Sequence, residues 1–172
     1  MRKLAVAIVF LVSTAAFAQE KPNGIYVFVA NPGFAYSEPG GTSWNAAFGV
    51  ALQRMFTPHL SGEVTVARDQ HTSRVNAFDS NGNLLESQRF TNVFTPVDLT
   101  ARYHFFTDGP WKPYAGLGVR YVQSRAFPDV TGGVVWQFRP SLGLRFDAKV
   151  LVGHQPRFSD SINAGAGLAW RF

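Results

Sequence analysis

Residues 162–172 read INAGAGLAWRF, and this stretch decides the fold. Apolar residues occupy every second position of it: Ile162, Ala164, Ala166, Leu168, Trp170 and Phe172. The positions between them hold small residues apart from Asn163 and Arg171. Because successive side chains of a β-strand point to opposite faces, the alternation predicts a strand with one apolar face and one small or polar face.

The same period of two recurs along the rest of the chain. Seven further segments carry it or are rich in β-forming residues: 24–30, 44–53, 60–67, 97–105, 115–122, 131–139 and 142–152. The first of these is too uniform to say which of its positions share a face. No segment has a convincing helical period. The sequence therefore predicts an all-β protein with eight antiparallel strands.

The connections between these segments alternate in length. Three are short: 57–59, 107–112 and 139–141. The first and third repeat a Phe-x-Pro-x-Leu pattern, in which the proline ends the ladder at a tight turn. The other four are longer: 31–42, 69–90, 124–132 and 154–160. Short turns at one end and long loops at the other predict an up-and-down meander.

The composition excludes several classes of site. The chain has 172 residues and no cysteine, so disulfides, zinc–thiolate sites, iron–sulfur clusters and cysteine nucleophiles are excluded. Charged residues make up 16%, against roughly 25% in an average soluble domain, while 15% are aromatic. The chain is therefore poor in charge and rich in aromatic rings.

The two faces of the strands distinguish a soluble barrel from a membrane barrel. A lipocalin-like carrier would turn its apolar face inward, whereas an outer-membrane barrel turns that face to lipid. The other face is mostly glycine and alanine here, which suits the narrow inside of an eight-stranded barrel. On the apolar face, charges stand only at strand ends, as at Arg54, Arg68 and Arg125. Aromatic residues near both ends, Tyr114 and Phe127 among them, predict two interfacial girdles. We therefore favour the membrane barrel, with a soluble periplasmic carrier as the alternative.

Charged residues within the strands lie on the small-residue face. There are eight: Glu63, Asp98, Arg102, Arg120, Arg145, Asp147, Lys149 and Arg171. Such residues inside a barrel can line a narrow solute or ion pore, or they can pair and fill the bore. Because eight strands leave room for little more than side chains, we expect a charge network that plugs the lumen. The narrow pore remains the alternative.

The first 18 residues predict export. Arg2 and Lys3 precede an apolar run, and the segment ends Ala16-Phe17-Ala18, which fits an A-x-A cleavage site at Ala16 and Ala18. As a helix the apolar run would be about 22 Å long, too short for a hydrocarbon core of about 30 Å. We expect a cleaved signal peptide at residues 1–18 and a barrel at residues 19–172.

Over essentially all of residues 19–172 the chain resembles the small bacterial outer-membrane β-barrels of the OmpA/OmpX type. The resemblance rests on the last strand, which ends Trp170-Arg171-Phe172, and on 113–119, which is similar to that family's fifth strand. It implies an eight-stranded antiparallel up-and-down transmembrane barrel in the bacterial outer membrane. It also implies that Trp170 and Phe172 form the signal read by the barrel-assembly machinery. Pro96 departs from the pattern, and it predicts a bulge, an irregular edge or the membrane boundary.

No catalytic, cofactor or metal site is predicted. His154, Ser159, Asp160 and Ser161 surround the last loop, and His71 and Ser73 begin the second long loop. Neither group matches a motif, so a lipid A-modifying hydrolase or acyltransferase stays an alternative. The four histidines lie on different segments without metal-ligand spacing.

The most distinctive outward feature is loop 69–90. Its centre, Asp79-Ser80-Asn81-Gly82, contains the Asn-Gly pair of a hairpin turn. The flanking segments then continue as a ribbon that projects about 30 Å from the bilayer, and its exposed edges suit the addition of another strand. We expect a structural or surface-interaction role, with outer-membrane lipid and an extracellular protein on loop 69–90 as partners. Nucleic acid is not an expected partner, and we expect a monomer.

Overall fold

The computed structural model describes residues 23–30, 37–38, 41–79, 81–152 and 162–172. Within these ranges the side chains of residues 37, 38, 41–45, 71, 73 and 162 lie outside the description. The strands are β1 (Asn23–Ala30), β2 (Ser37–Glu38), β3 (Gly41–Met55), β4 (Leu60–Phe78), β5 (Leu84–Phe94), β6 (Val97–His104), β7 (Trp111–Val122), β8 (Arg125–Arg139), β9 (Leu142–Leu151) and β10 (Ile162–Arg171). No helix in the described ranges is long and apolar enough to cross a membrane.

Eight of these strands close a barrel. They follow one another around the ring in the order β3, β1, β10, β9, β8, β7, β6, β4, and β4 pairs back to β3. Every neighbouring pair is antiparallel, and the two terminal strands meet between Gly24↔Arg171 and Ala30↔Gly165. Because closure leaves no free edge within the ring, every strand there is paired on both sides.

The predicted all-β, eight-stranded up-and-down barrel is confirmed, and so is the orientation of its faces. Large apolar side chains point away from the barrel, such as Val29, which is 67% exposed, and Leu117, which is 68% exposed. Small, polar and charged residues point inward. A soluble carrier would need the reverse arrangement. The open question of the first strand is answered as well, since Val27 faces out and Tyr26 is buried inside.

Glycine makes room for the larger side chains inside. A Cβ atom added to Gly133 would lie 2.5 Å from the Tyr114 Oη and would also meet the carbonyl oxygen of Phe146. One added to Gly116 would lie 2.9 Å from the Cγ of Arg102. Because a Tyr and an Arg occupy the space that a second side chain would need, only glycine fits at these two positions.

The predicted long loop at 124–132 is wrong. β7 and β8 are joined by a turn at Gln123 and Ser124, whose φ angles are 49° and 64°. Pro128 does not interrupt β8: it lies opposite Val119 in the ladder, and its carbonyl accepts a hydrogen bond from the Val152 amide at 2.8 Å. A proline lacks one donor but keeps its acceptor, so the strand continues through it.

Loop 69–90 is a hairpin, as expected. β4 and β5 pair from Asp69↔Phe94 to Phe78↔Leu84 with a bulge near the tip, and this part, residues 69–94, is called the ribbon below. Gly82 has a φ of 82° in the turn. The β-structure is interrupted at Thr95 and Pro96, between β5 and β6, so the irregularity predicted at Pro96 is present.

Three other expectations fall wholly or partly outside the described residues. These are the signal peptide with Ala16 and Ala18, the first long connection at 31–42 apart from residues 37–38 and 41–42, and the last loop at 154–160.

Candidate functional site in the barrel interior

The first charge cluster centres on Glu63 of β4. Arg102 donates to its two carboxylate oxygens at 2.6 and 2.5 Å, and Arg145 donates to the same two oxygens at 2.5 and 3.1 Å. Thr65 adds a hydrogen bond to Glu63 at 3.1 Å, and Asp147 accepts one from Arg145 at 3.0 Å. A carboxylate that holds two guanidinium groups in bidentate geometry is among the strongest charge-assisted arrangements available.

The position of these partners around the ring matters as much as their distances. Glu63 lies on β4 and Arg145 on β9, which are four strands apart in either direction around the ring. Their ion pair therefore crosses the full width of the bore. Both side chains are almost completely buried, with 1% and 3% of their surface exposed.

Two tyrosines surround the Glu63 cluster. The guanidinium carbon of Arg145 lies 3.9 Å from the ring centre of Tyr26, and that of Arg102 lies 4.8 Å from the ring centre of Tyr114. The Tyr114 hydroxyl also accepts a hydrogen bond from Arg145 at 2.9 Å. Cation–π contacts are strongest where both groups are shielded from water, as they are here.

The second cluster centres on Asp98 and lies nearer the ribbon. Arg120 donates to both oxygens of Asp98 at 2.9 and 3.1 Å, and Lys149 donates to one of them at 2.5 Å. Arg120 reaches on to Asp69 at 3.2 Å, and Lys149 lies 3.9 Å from Asp129. Asp98 on β6 and Lys149 on β9 are three strands apart, so this cluster also spans the bore.

Asp69 and Asp129 were not predicted as part of the network. Together with the three predicted carboxylates they equal the number of predicted cations, so the interior is closer to neutral than the sequence count suggests. Both lie in predicted loops, Asp69 at the start of 69–90 and Asp129 within 124–132. The alternation along the strands would have identified both as inward residues, because Asp69 is two residues beyond Ala67 and Asp129 is two before Thr131.

Arg171 lies at the other end of the interior. Within the described ranges no carboxylate is within 4.0 Å of its side chain, and its backbone amide bonds the Ser141 carbonyl at 2.8 Å. The neighbouring Trp170 and Phe172 point outward, 53% and 49% exposed, and their rings are 5.5 Å apart. Seven of the eight predicted inward charges therefore join one of two clusters, and Arg171 stands apart from both.

A polar cluster without formal charge closes the short-turn end. The Nε2 of His104 lies 2.9 Å from the Ser61 Oγ and 3.2 Å from the Gln53 amide nitrogen. Ser61 and His104 have the separation of a nucleophile and its base, a pairing that sequence analysis missed because they lie 43 residues apart. Ser61 is fully buried, however, and no described residue hydrogen-bonds the Nδ1 of His104. Within the part of the chain that the structure describes, the pair is therefore enclosed and has no third member of a triad.

Two aromatic residues predicted for the girdles lie inside instead. Tyr114 is buried against the arginines, and Phe127 shares the inward parity of Asp129. Position along the chain suggested an interface, but Tyr114 is two residues before Gly116 and so belongs to the small-residue face. The short-turn girdle is otherwise present, with Trp111 and Trp136 stacked 5.6 Å apart on the outside.

The described residues include no group of three or more histidine, aspartate and glutamate side chains that could hold a metal ion. The predicted catalytic candidates at 154–161 lie outside the described residues, as do the side chains of His71 and Ser73. What the interior offers is a set of paired charges and packed rings that connects opposite walls.

Known proteins give this arrangement a context. The model of the OmpW family matches residues 13–127, about two thirds of the chain. The fold is similar to that of the outer membrane protein OprG from Pseudomonas aeruginosa, with a TM-score of 0.54 and 12% identity over 88% of this chain and 96% of that chain. It is also similar to the N-terminal β-barrel domain of OprF from Pseudomonas aeruginosa, with a TM-score of 0.54 and 16% identity over 88% of this chain and 98% of that one.

The outer membrane protein Ail from Yersinia pestis is a third structure with this fold. Its TM-score is 0.54, its identity is 13%, and the match covers 89% of this chain and 100% of Ail. At such identities the likeness shows the fold alone. Among curated protein sequences, none matches this chain.

Proposed function

The chain belongs to the OmpW family and is an outer-membrane β-barrel, and on that basis we propose that its lumen is plugged by paired side chains and that its role is structural or surface-interactive. The observation that carries the proposal is the pair of bridges across the bore, Glu63 to Arg145 and Asp98 to Lys149. Both connect strands on different sides of the ring.

The energetics favour a permanent plug over a gate. Opening the bore would separate Glu63 from Arg102 and Arg145, and the water that enters would replace only part of their bidentate contacts. Breaking a buried ion pair and leaving one partner uncompensated costs about 3–5 kcal/mol. Since Glu63 binds two arginines at once, thermal opening of the bore should be rare.

The ribbon supports the surface-interaction part of the proposal. On one side, β5 pairs with β4. On the other side, the pairing of β6 with β7 ends at Val97↔Tyr121, so β7 does not continue alongside β5. Within the described ranges no strand pairs with the other edge of β5, so alternate residues from Leu84 to Val93 present backbone donors and acceptors there. Free strand edges recruit extended segments of other proteins, so we take an extracellular protein as the expected partner of this edge.

The remaining parts of the proposal concern biogenesis and chemistry. Residues 1–18 would be removed after Ala18 during export, and Trp170 and Phe172 would present the assembly signal from the outer side of the last strand. Catalysis is not part of the proposal, because the buried Ser61–His104 pair is out of reach of a lipid substrate. We expect the barrel to act as a monomer.

Planar-bilayer recording tests the plug. The purified, refolded barrel should give a flat current trace at moderate voltage. A triple variant, Glu63→Ala with Arg102→Ala and Arg145→Ala, removes the first cluster and should give discrete conductance steps if it folds. Arg139→Ala, at an exposed arginine of the short-turn end, is the matched control and should stay silent. Regular steps from the unmodified barrel would contradict the plug and favour the narrow pore.

A further inference from the structure

The side of the ribbon that continues the lipid-facing surface carries an unusual charge pattern. Alternation along β4 places Arg68, Gln70, Thr72, Arg74 and Asn76 on the same face as the lipid-facing Val66. The register with β5 adds Val93, Thr91, Arg89 and Ser87 to that face. These nine residues are called the outer ribbon face; Thr72 among them is buried. It holds three arginines and, among the described residues, no aspartate or glutamate.

The two acidic residues of the ribbon strands lie on the opposite face. Glu86 pairs with Ala77, and Asp69 belongs to the inward parity of Glu63. No carboxylate of the described residues is within 4.0 Å of Arg68, Arg74 or Arg89, and all three are exposed. The positive charge of the outer ribbon face is therefore not neutralised within the described part of the protein.

Two of these arginines stand directly opposite each other. Arg74 of β4 and Arg89 of β5 are cross-strand partners, so their Cβ atoms are about 4.5–5.5 Å apart. Like charges in this position destabilise a sheet. An anion between the two guanidinium groups would remove the repulsion, and a phosphate is well matched because each guanidinium can bind two of its oxygens.

The height of the pair indicates where that phosphate comes from. The outward Phe48 of β3, 59% exposed, is the cross-strand partner of Arg68, so apolar side chains on the outside reach Arg68, and within the barrel Val66 is the last of them on β4. Arg68 follows two residues later. Arg74 is six residues beyond Arg68, about 20 Å along the strand and about 15 Å above it at the usual tilt of about 40°. That zone of the outer leaflet is occupied by the sugar core of lipopolysaccharide, which carries phosphate groups above those of lipid A.

We propose that Arg74 and Arg89 form a binding site for core phosphates of lipopolysaccharide, with Arg68 contacting the phosphates at the membrane surface. The site fixes the ribbon against the outer leaflet and leaves the opposite face and the free edge of β5 exposed. It does not depend on whether the lumen is plugged, since none of the three arginines contacts the interior clusters.

The test measures the unfolding midpoint of the refolded barrel in three membranes. These contain phosphatidylcholine alone, phosphatidylcholine with phosphorylated lipopolysaccharide, and phosphatidylcholine with the same lipopolysaccharide after enzymatic removal of its core phosphates. A ligand that binds the folded state raises the midpoint. We expect the highest midpoint with the phosphorylated form, and we expect the double variant Arg74→Gln with Arg89→Gln to lose that difference.

The change in unfolding midpoint caused by the double substitution should have opposite signs in the two membranes, and this separates binding from a structural role. In phosphatidylcholine alone the double variant should unfold at the same temperature as the unmodified barrel or a higher one, because the repulsion is gone. In phosphorylated lipopolysaccharide it should unfold at a lower one. Arg139→Gln, at the short-turn end, is the matched control and should follow the unmodified barrel in all three membranes.

Three results would overturn the assignment. One is an equal midpoint with phosphorylated and dephosphorylated lipopolysaccharide for the unmodified barrel, which needs no variant to fold. Another is a phosphate-dependent rise that survives the double substitution. The third is an equal rise in vesicles containing phosphatidylglycerol, because any anionic surface would then suffice.

Discussion

Strand β4 passes through two regions of the molecule and behaves differently in each. Inside the barrel its inward residues are buried, from Ser61 and Glu63 to Ala67, and the charge among them is paired. In the ribbon the same alternation continues, but both Arg74 and Val75 are exposed. The alternation of a strand thus determines which residues share a face, whereas closure of the sheet determines which face is buried.

The comparison also shows where charge contributes to stability. In the barrel, Glu63 and its arginines are enclosed by eight strands, so their interaction is strong and its loss is expensive. In the ribbon, water screens the exposed arginines, and their interactions are weak unless a ligand joins them. Substitutions on the two parts of β4 and its neighbours should therefore differ by several kcal/mol.

The largest effect is expected from Glu63→Ala. It leaves Arg102 and Arg145 buried without their shared carboxylate, so the free energy of unfolding in lipid vesicles should fall by about 3–5 kcal/mol. Glu86→Ala in the ribbon is the matched control and should change it by less than about 0.5 kcal/mol. Urea titration followed by gel migration measures both. Equal losses at the two positions would show that the interior is solvated.

A smaller effect on the free energy of unfolding is expected when alanine replaces either of two adjacent glycines, Gly132 and Gly133, which lie on opposite faces of β8. Gly133→Ala brings a methyl group against Tyr114 and the Phe146 carbonyl, and overpacking of this kind costs about 1–3 kcal/mol. At Gly132 the nearest atom to an added Cβ is 3.8 Å away, so Gly132→Ala should be neutral or stabilise by about 0.4–1 kcal/mol. The same urea titration measures this pair, and a larger loss at Gly132 would contradict the assigned faces.

The smallest effect is expected at the ribbon tip and depends on pH. The Asp79 carboxylate accepts hydrogen bonds from the Asn83 side chain at 2.9 Å and from the amides of Asn83 and Asn81, each at 2.8 Å, which lowers its pKa. Because the folded pKa lies below the unfolded one, the stabilisation is complete above the ordinary aspartate pKa of about 3.9 and is lost as the pH falls through the lowered value.

NMR of the turn amides should follow that loss. The Asn81 and Asn83 amide shifts should stay constant down to about pH 4 and move below it. Asp79→Asn keeps an acceptor but removes the titration, so its turn should show no such movement. A midpoint above the ordinary aspartate range would contradict the hydrogen-bonded turn.

Much of the fold follows from the sequence alone. Period-two patterning gave the eight strands and their faces, since lipid exposure demands apolar residues and a narrow bore demands small ones. The prediction failed at 124–132, where Pro128 lies within a strand, because loss of one donor does not end a strand that keeps its other contacts. At Pro96 the same residue type does interrupt the ladder, so proline alone does not predict the outcome.

The site was predictable in its parts but not in its connections. Parity identified Glu63 and Arg145 as inward residues, and it would also have assigned Tyr114 and Asp129 inward had it been applied to them. Which charges meet could not be predicted, because Glu63 and Arg145 are 82 residues apart and meet only through the order and stagger of eight strands. The Arg74–Arg89 pair likewise depends on the register of one hairpin.

Cysteine accessibility tests the filled interior most directly, because the chain has no cysteine of its own. Thr131→Cys places a thiol in the bore at a position that is 2% exposed, and Gln88→Cys places one on the ribbon. With a small charged methanethiosulfonate reagent added outside, we predict rapid labelling at position 88 and none at position 131 until the barrel is unfolded. Comparable labelling rates at the two positions in the folded barrel would contradict the plugged lumen.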